Sequence, residues 1–198
     1  MEIVVATHNQ GKLSEIKHIF KDLPITILSL KDLGISIDTV EDQISFEGNA
    51  IKKAMETMKL TNKITLADDS GLEVEALGGQ PGIYSARFAG PNANDEQNNI
   101  KLLKMLENTP IKKRKAQFRC CMALVYPSGK IITTNGICHG KIGFKPVGNN
   151  GFGYDPLFIV DGLEKTFAEL PDGQKNLISH RAIALKELRN VLFEELKS

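Results

Sequence analysis

Apolar residues along the chain recur with two periods, and the alternation between them predicts the elements. Glu2–Ala6 is a short apolar run that reads as a strand, and Lys12–Phe20 follows as a helix with Leu13, Ile16 and Ile19 or Phe20 on one face. Residues 46–60 place Ile51, Ala54, Met55 and Met58 at i, i+3, i+4 and i+7, the spacing of an amphipathic helix. Ile64–Ala67 and Leu72–Ala76 read as two strands, the second alternating Leu72, Val74 and Ala76 with Glu73 and Glu75. Asn94–Leu106 is helical, with its start marked by polar residues after Pro91. Ala116–Tyr126 and Lys130–Ile142 form two strands joined by a turn at Pro127-Ser128-Gly129, and Leu157–Val160 is a further short strand. A last helix from about Ser179 carries Ile183, Ala184, Leu188, Val191 and Leu192 as its stripe. Strand-helix units early and a hairpin later predict an α/β protein with a mixed sheet.

Composition narrows the class. With 198 residues, 41% hydrophobic and 25% charged, the chain suits one soluble domain spanning residues 1–198. A formal net charge of +1 gives no global field towards nucleic acid, and the basic run Lys112-Lys113-Arg114-Lys115 reads as a solvated connection. No apolar stretch is long enough for a membrane span, and the first residues lack the regions of a secretory signal. Cys120, Cys121 and Cys138 cannot all pair and lack CxxC spacing, so a reducing cytoplasm is the expected compartment. Cys120, Cys121 and Ser179 read as a core pair and a helix cap rather than nucleophiles.

The residues with chemistry stand at junctions. Thr7-His8-Asn9-Gln10-Gly11-Lys12 joins the first strand to the first helix, where backbone N–H groups and a lysine suit a phosphate and the same residues suit a plain helix cap. A Walker A loop would need Gly at Ala6 and Ser or Thr at Leu13. Asp68-Asp69-Ser70-Gly71 ends an apolar run with two adjacent carboxylates, suited to a cation or proton transfer; taken alone the segment reads more readily as a turn. The segment 149–156 sets Phe152 and Tyr154 among glycines, as a stacking surface for a flat ligand or as side chains folded back onto the sheet.

Five segments together resemble the inosine triphosphatase-like pyrophosphatases of non-standard purine nucleoside triphosphates: Val4–Lys12, Phe46–Ala54, Leu66–Gly90, Gly151–Phe158 and Lys175–Leu185. His8 stands where many members carry a small residue, and Gln43 replaces a glycine common after the acidic residue aligned with Glu41. The resemblance implies an elongated mixed central β-sheet flanked by helices, with two lobes around a deep nucleotide-binding cleft. It further implies a homodimer and Mg²⁺-dependent hydrolysis of ITP, dITP and XTP to the monophosphate and pyrophosphate. Thr7, His8, Asn9, Gln10, Gly11, Lys12, Lys53 and Ser70 would then take the phosphates. Asp69 would hold the metal, with Glu41 or Asp68 helping, and would act as general base. Phe152, Gly153, Tyr154, Asp155, His180 and Arg181 would read the base, and Lys175 matches a family nucleotide-binding lysine. Phe152 and Tyr154 would stack, Arg181, His180 and the loop amides would donate to a 6-keto oxygen, and Asp155 would accept from a ring N–H. Arg87 could reach phosphate or the sheet end. A pyrophosphatase of modified pyrimidine triphosphates and a nucleotide sensor without turnover are the competing readings.

Overall fold

A computed structural model of the chain describes residues 1–197, apart from the side chain of Asp172. The first strand, β1 (Glu2–Val5), buries Ile3, Val4 and Val5 and feeds α1 (Gln10–Phe20), which buries Leu13, Ile16 and Phe20 as its spacing predicts. The chain returns as β2 (Thr26–Ser29), a four-residue strand too short and too half-exposed to stand out in the apolar pattern. Next comes α2 (Phe46–Thr61), started by Ser45, whose hydroxyl accepts from the Gly48 N–H at 3.0 Å. Its buried face is Phe46, Asn49, Ala50, Ala54 and Thr57, rotated from the predicted stripe so that Met55 and Met58 are only half-buried.

One strand, β3 (Thr65–Val74), replaces the two predicted there and runs straight through Asp68-Asp69-Ser70-Gly71. The rest is α3 (Asp95–Met105), β4 (Lys115–Val125), β5 (Ile131–Ile142), β6 (Phe158–Val160), α4 (Asp172–Ile178) and α5 (His180–Glu195). The β4–β5 turn closes with Tyr126 donating to the Lys130 carbonyl at 2.9 Å. The strands order as β2-β1-β3-β4-β5-β6. β1 is parallel to β2 and β3 while β5 and β6 are antiparallel, so the sheet is mixed as expected.

Two compact units share these strands: residues 1–69, 120–136 and 181–198 form the first, and residues 70–119 and 137–180 the second. The first packs Ile3, Val5, Leu66, Met122 and Leu124 of its strands against Leu13 and Ile16 of α1 and Ala184, Leu185, Leu188 and Leu192 of α5. Ile183, expected in that stripe, is 39% exposed. The second unit has its own core, centred on Leu72, Val74, Phe118, Tyr154, Phe158 and Phe167. Arg114 departs from the solvated reading of the basic run. Its buried guanidinium donates to the carbonyls of Leu106, Thr109 and Gly143 at 2.6, 2.8 and 2.8 Å and ties three segments of this unit. Cys120 and Cys121 are buried core residues, and burial followed by Asp68 pushes the Cys120 thiol well above its ordinary range. Among the described residues no helix is long and apolar enough to cross a membrane.

Candidate active site

In the first unit the turn from β1 into α1 is built by its own polar side chains. Asn9 is the N-cap, its Oδ1 accepting from the Lys12 N–H at 3.1 Å, and Thr7 Oγ1 accepts from the Asn9 N–H at 3.2 Å. Capping leaves the first-turn amides of Gln10 and Gly11 without intrahelical partners, at the positive end of the helix. His8 Nε2 lies 2.7 Å from the Ile37 carbonyl. A cavity of about 200 Å³ opens beside this turn, lined by Thr7, His8, Lys12, Glu41, Lys53 and Asp68 among others. Its volume falls below the ~300–1,000 Å³ of pockets that enclose a whole small ligand, so it has room for phosphate groups.

The paired carboxylates lie inside β3, where successive side chains leave by opposite faces, and each face has its own cations. Asp68 Oδ2 is 2.9 Å from Lys12 Nζ and 3.3 and 3.4 Å from Arg181 Nε and Nη2, and Arg181 Nη1 reaches Glu15 Oε2 at 2.7 Å. Burial alone would raise the Asp68 pKa. Lys12 and Arg181, with Lys53 beyond them, outweigh it and hold the carboxyl far below the usual range. Asp69 Oδ1 is 3.2 Å from Lys53 Nζ, its Oδ2 accepts from Asn49 Nδ2 at 3.0 Å, and the same Lys53 Nζ lies 2.9 Å from Glu41 Oε1. Burial, then the charge of Glu41, raises the Asp69 pKa against the pull of Lys53 and Asn49. Burial lowers the Lys53 pKa, and the carboxylates of Asp69, Asp68 and Glu41 overcome it, leaving a firmly charged ammonium.

This arrangement corrects one expectation. Asp68-Asp69 is not a turn, because four cationic or amide side chains from distant segments neutralise both carboxylates within the strand. Asp69 is the expected metal residue with Glu41 or Asp68 as its helper, and among the described residues no group of three or more His, Cys, Asp or Glu side chains is placed to hold a metal. Glu41 and Asp69 share one cation, and Asp68 belongs to a separate cluster. Ser70 follows in the same strand, half-buried.

The second unit holds the aromatic loop. Gly151 has φ +78°, and a Cβ there would stand 2.0 Å from Asp155 Oδ2, so the glycine admits the carboxylate. Asp155 Oδ2 accepts from the Phe152 N–H at 2.9 Å and lies 2.6 Å from Lys175 Nζ, so this buried carboxylate folds the loop. Lys175 Nζ sits 4.8 Å from the Phe152 ring centre and 5.7 Å from that of Phe167. Phe152 is half-buried, whereas Tyr154 is 4% exposed and its hydroxyl donates to the Ser85 carbonyl at 2.8 Å. Tyr154 is therefore a core residue and not a stacking surface. His180 is buried and stacks on Phe118 at 4.7 Å with the planes 11° apart.

Two sets of expected base donors are engaged elsewhere. The amides of Phe152, Gly153 and Asp155 donate to Asp155 Oδ2, Asp95 Oδ2 and the Phe152 carbonyl. Arg181 lies in the first unit on Asp68 and Glu15. Arg87 packs over the Tyr84 ring at 5.2 Å. A cavity of about 790 Å³ in this unit is lined by Glu73, Lys112, Lys115, His139, Lys141 and Asp161 among others and contains none of the expected site residues.

Sequence reading passed over Asn49 and Glu15. Asn49 stands one helical turn before Lys53 and Glu15 three residues after Lys12, so helical spacing held the signal for both.

Comparison with known proteins places the chain in a family. Residues 3–191 match the Ham1 family. The dITP/XTP pyrophosphatase of Geobacter sulfurreducens is 52% identical over 190 residues, covering 96% of each chain. That of Thermoanaerobacter pseudethanolicus is 50% identical over 197 residues, covering 100% of this chain and 99% of its own. Among solved structures, the Staphylococcus aureus Ham1 protein superposes with a TM-score of 0.89 at 45% identity, covering 98% of this chain and 100% of that one. The Coxiella burnetii HAM1 protein gives 0.90 at 40% identity, covering 98% and 99%. A match that runs from the first strand into the last helix, shared by sequence and by backbone, makes this chain a member of the Ham1 family.

Proposed function

We infer that this protein hydrolyses the non-standard purine triphosphates ITP, dITP and XTP to the nucleoside monophosphate and pyrophosphate, removing deaminated purines from the nucleotide pool. Relatives at about half identity over the whole chain are named dITP/XTP pyrophosphatases, which supports the assignment. The observation that carries it is the pair of clusters on β3, Lys12 on Asp68 and Lys53 on Asp69 and Glu41, with Lys12, Asp68, Lys53 and Glu41 lining one cavity at a helix N-terminus.

A triphosphate tail brings several negative charges, and Lys12, Lys53 and the first-turn amides of α1 would meet them. Asp68 acts on the cation side: held ionised, it fixes Lys12. Glu41 and Asp69 fit Mg²⁺, because two carboxylates already converge on one cation and Mg²⁺ is commonly held by one or two carboxylates plus substrate phosphates. Bound there, Mg²⁺ would supply charge neutralisation and a more acidic water. Asp69, with its proton affinity raised by burial, accepts the proton as a water oxygen bonds to the α-phosphorus. The bond from that phosphorus to the bridging oxygen breaks, and pyrophosphate leaves. Asn49 holds Asp69 Oδ2 and so orients the carboxylate.

Residues of the second unit would take the base. Phe152 stacks on it, and Lys175 and His180 are the donors we assign to a 6-keto oxygen, which an adenine amino group cannot accept from. The family resemblance supports our further reading that the protein is a homodimer acting in the cytoplasm.

Hydrolysis of ITP in ¹⁸O-labelled water tests the reaction itself. Label recovered in inosine monophosphate supports attack at the α-phosphorus. Label in pyrophosphate, or release of single phosphate, would contradict it.

A further inference from the structure

The glycines of residues 151–155 leave the path of that loop to whatever grips it, and α3 grips it at one peptide. Gly153 donates its N–H to Asp95 Oδ2 at 2.7 Å, and its carbonyl accepts from Asn99 Nδ2 at 3.0 Å. Asp95 and Asn99 are four residues apart on α3, so one helix face offers an acceptor and a donor to the two polar groups of a single residue. Gly153 has φ +64°, a conformation these two bonds fix and glycine tolerates.

The clamp is itself anchored. Asn94 and Gln97 form a reciprocal cap at the start of α3, and Asn98 Nδ2 donates to the Ala86 carbonyl at 3.1 Å while its Oδ1 accepts from the Ala89 N–H at 2.8 Å. Asn99 Oδ1, by contrast, is buried with no hydrogen-bond partner among the described residues. What its amide holds is the loop. On the far side of Gly153, Tyr154 is locked to Ser85, and Phe152 precedes it with its N–H on Asp155. The one partly exposed ring of the loop thus stands between two fixed peptides.

We propose that Asp95 and Asn99 are positioning residues for base selectivity: by clamping Gly153 they set the plane of the Phe152 ring against the purine. The proposal rests on Phe152 stacking on the base, as inferred above, and extends it to two side chains that need not touch the substrate.

The test is steady-state pyrophosphate release from ITP, XTP, GTP and ATP with the full chain and with Asp95→Ala, Asn99→Ala and Asp95→Asn. Both alanine variants are expected to raise KM for ITP and to narrow the ITP-to-GTP ratio of kcat/KM, each by about tenfold, with a much smaller fall in kcat. Asp95→Asn keeps an oxygen for the Gly153 N–H and is expected to recover the wild-type ratio. Asp95 is exposed, so its truncation leaves the core of the second unit intact even if Asn99→Ala fails to fold. Faster amide exchange across 151–155 in Asp95→Ala supplies a readout independent of turnover. Unchanged selectivity in a folded Asp95→Ala, or equal losses in kcat for every base, would overturn the clamp. A wild type that turns over no purine triphosphate would remove the underlying reading and the clamp with it, and is told apart by the first assay.

Discussion

Replacing Arg181 by methionine isolates the electrostatics of the buried cluster. The side chain is 1% exposed and bridges two carboxylates, with Nη1 on Glu15 at 2.7 Å and Nε and Nη2 on Asp68 at 3.3 and 3.4 Å. Methionine fills much of the volume and removes the charge. Breaking a buried ion pair by deleting one partner costs about 3–5 kcal/mol, mostly through the charge left behind. Asp68 keeps Lys12 at 2.9 Å, so the lower end of that range applies, and at ~2–4 °C per kcal/mol for a domain of this size Tm should fall by ~6–12 °C. The pH dependence carries a sign. The folded pKa of Asp68 is depressed, so its contribution is present above the unfolded value of about 3.9 and is lost as pH falls through the lower folded value. Removing Arg181 lifts the folded pKa towards the unfolded one, so the deficit of the variant should be full at pH 7 and shrink below about pH 4. Thermal and urea unfolding at pH 7 and pH 3 measure both. A deficit under about 1 kcal/mol at pH 7, or one that grows on acidification, would refute the reasoning.

Other perturbations follow from single contacts. Gly151→Ala places a Cβ 2.0 Å from Asp155 Oδ2 and strains a left-handed residue, so it should disturb the Asp155–Lys175 pair and weaken ITP binding in a KM measurement while a melt shows the fold retained. Tyr126→Phe removes the 2.6 Å bond from Tyr126 to Glu195 and should cost about 1 kcal/mol, or roughly 2–4 °C in Tm, with kcat unchanged. Chelation of divalent cations should abolish turnover and added Mg²⁺ restore it; activity surviving in excess chelator would sink the metal assignment to Glu41 and Asp69.

α1 was legible because its apolar spacing is local: Leu13, Ile16 and Phe20 are buried as the pattern predicts, whereas the buried face of α2 is rotated from its predicted stripe and α4 left no such stripe. β3 was not. Asp68, Asp69, Ser70 and Gly71 are turn formers by themselves, and what makes them strand residues lies elsewhere in the chain, Arg181 being 113 positions from Asp68. The same distance hid the division of labour among the carboxylates, since spacing cannot tell that Lys53 serves Glu41 and Asp69 while Lys12 serves Asp68. Aromatics among glycines at 152 and 154 looked equivalent in sequence. Burial separates them, placing Tyr154 in the core and leaving Phe152 half-buried beside Lys175. Arg181 and His180 are adjacent in sequence, and spacing could not tell that Arg181 pairs with Asp68 and Glu15 while His180 stacks on Phe118.

The central claim is tested most directly by kcat/KM for pyrophosphate release from ITP, dITP, XTP, GTP, ATP and dUTP with Mg²⁺, for the wild type and Asp69→Asn. The account predicts fast turnover of ITP, dITP and XTP, weak turnover of GTP, ATP and dUTP, and a loss of about 10²–10⁴-fold in the variant. It also predicts a Tm for that variant no lower than wild type at neutral pH, because a carboxyl with a raised pKa favours its neutral form in the fold. Equal rates on all six triphosphates, or full activity in Asp69→Asn, would contradict it.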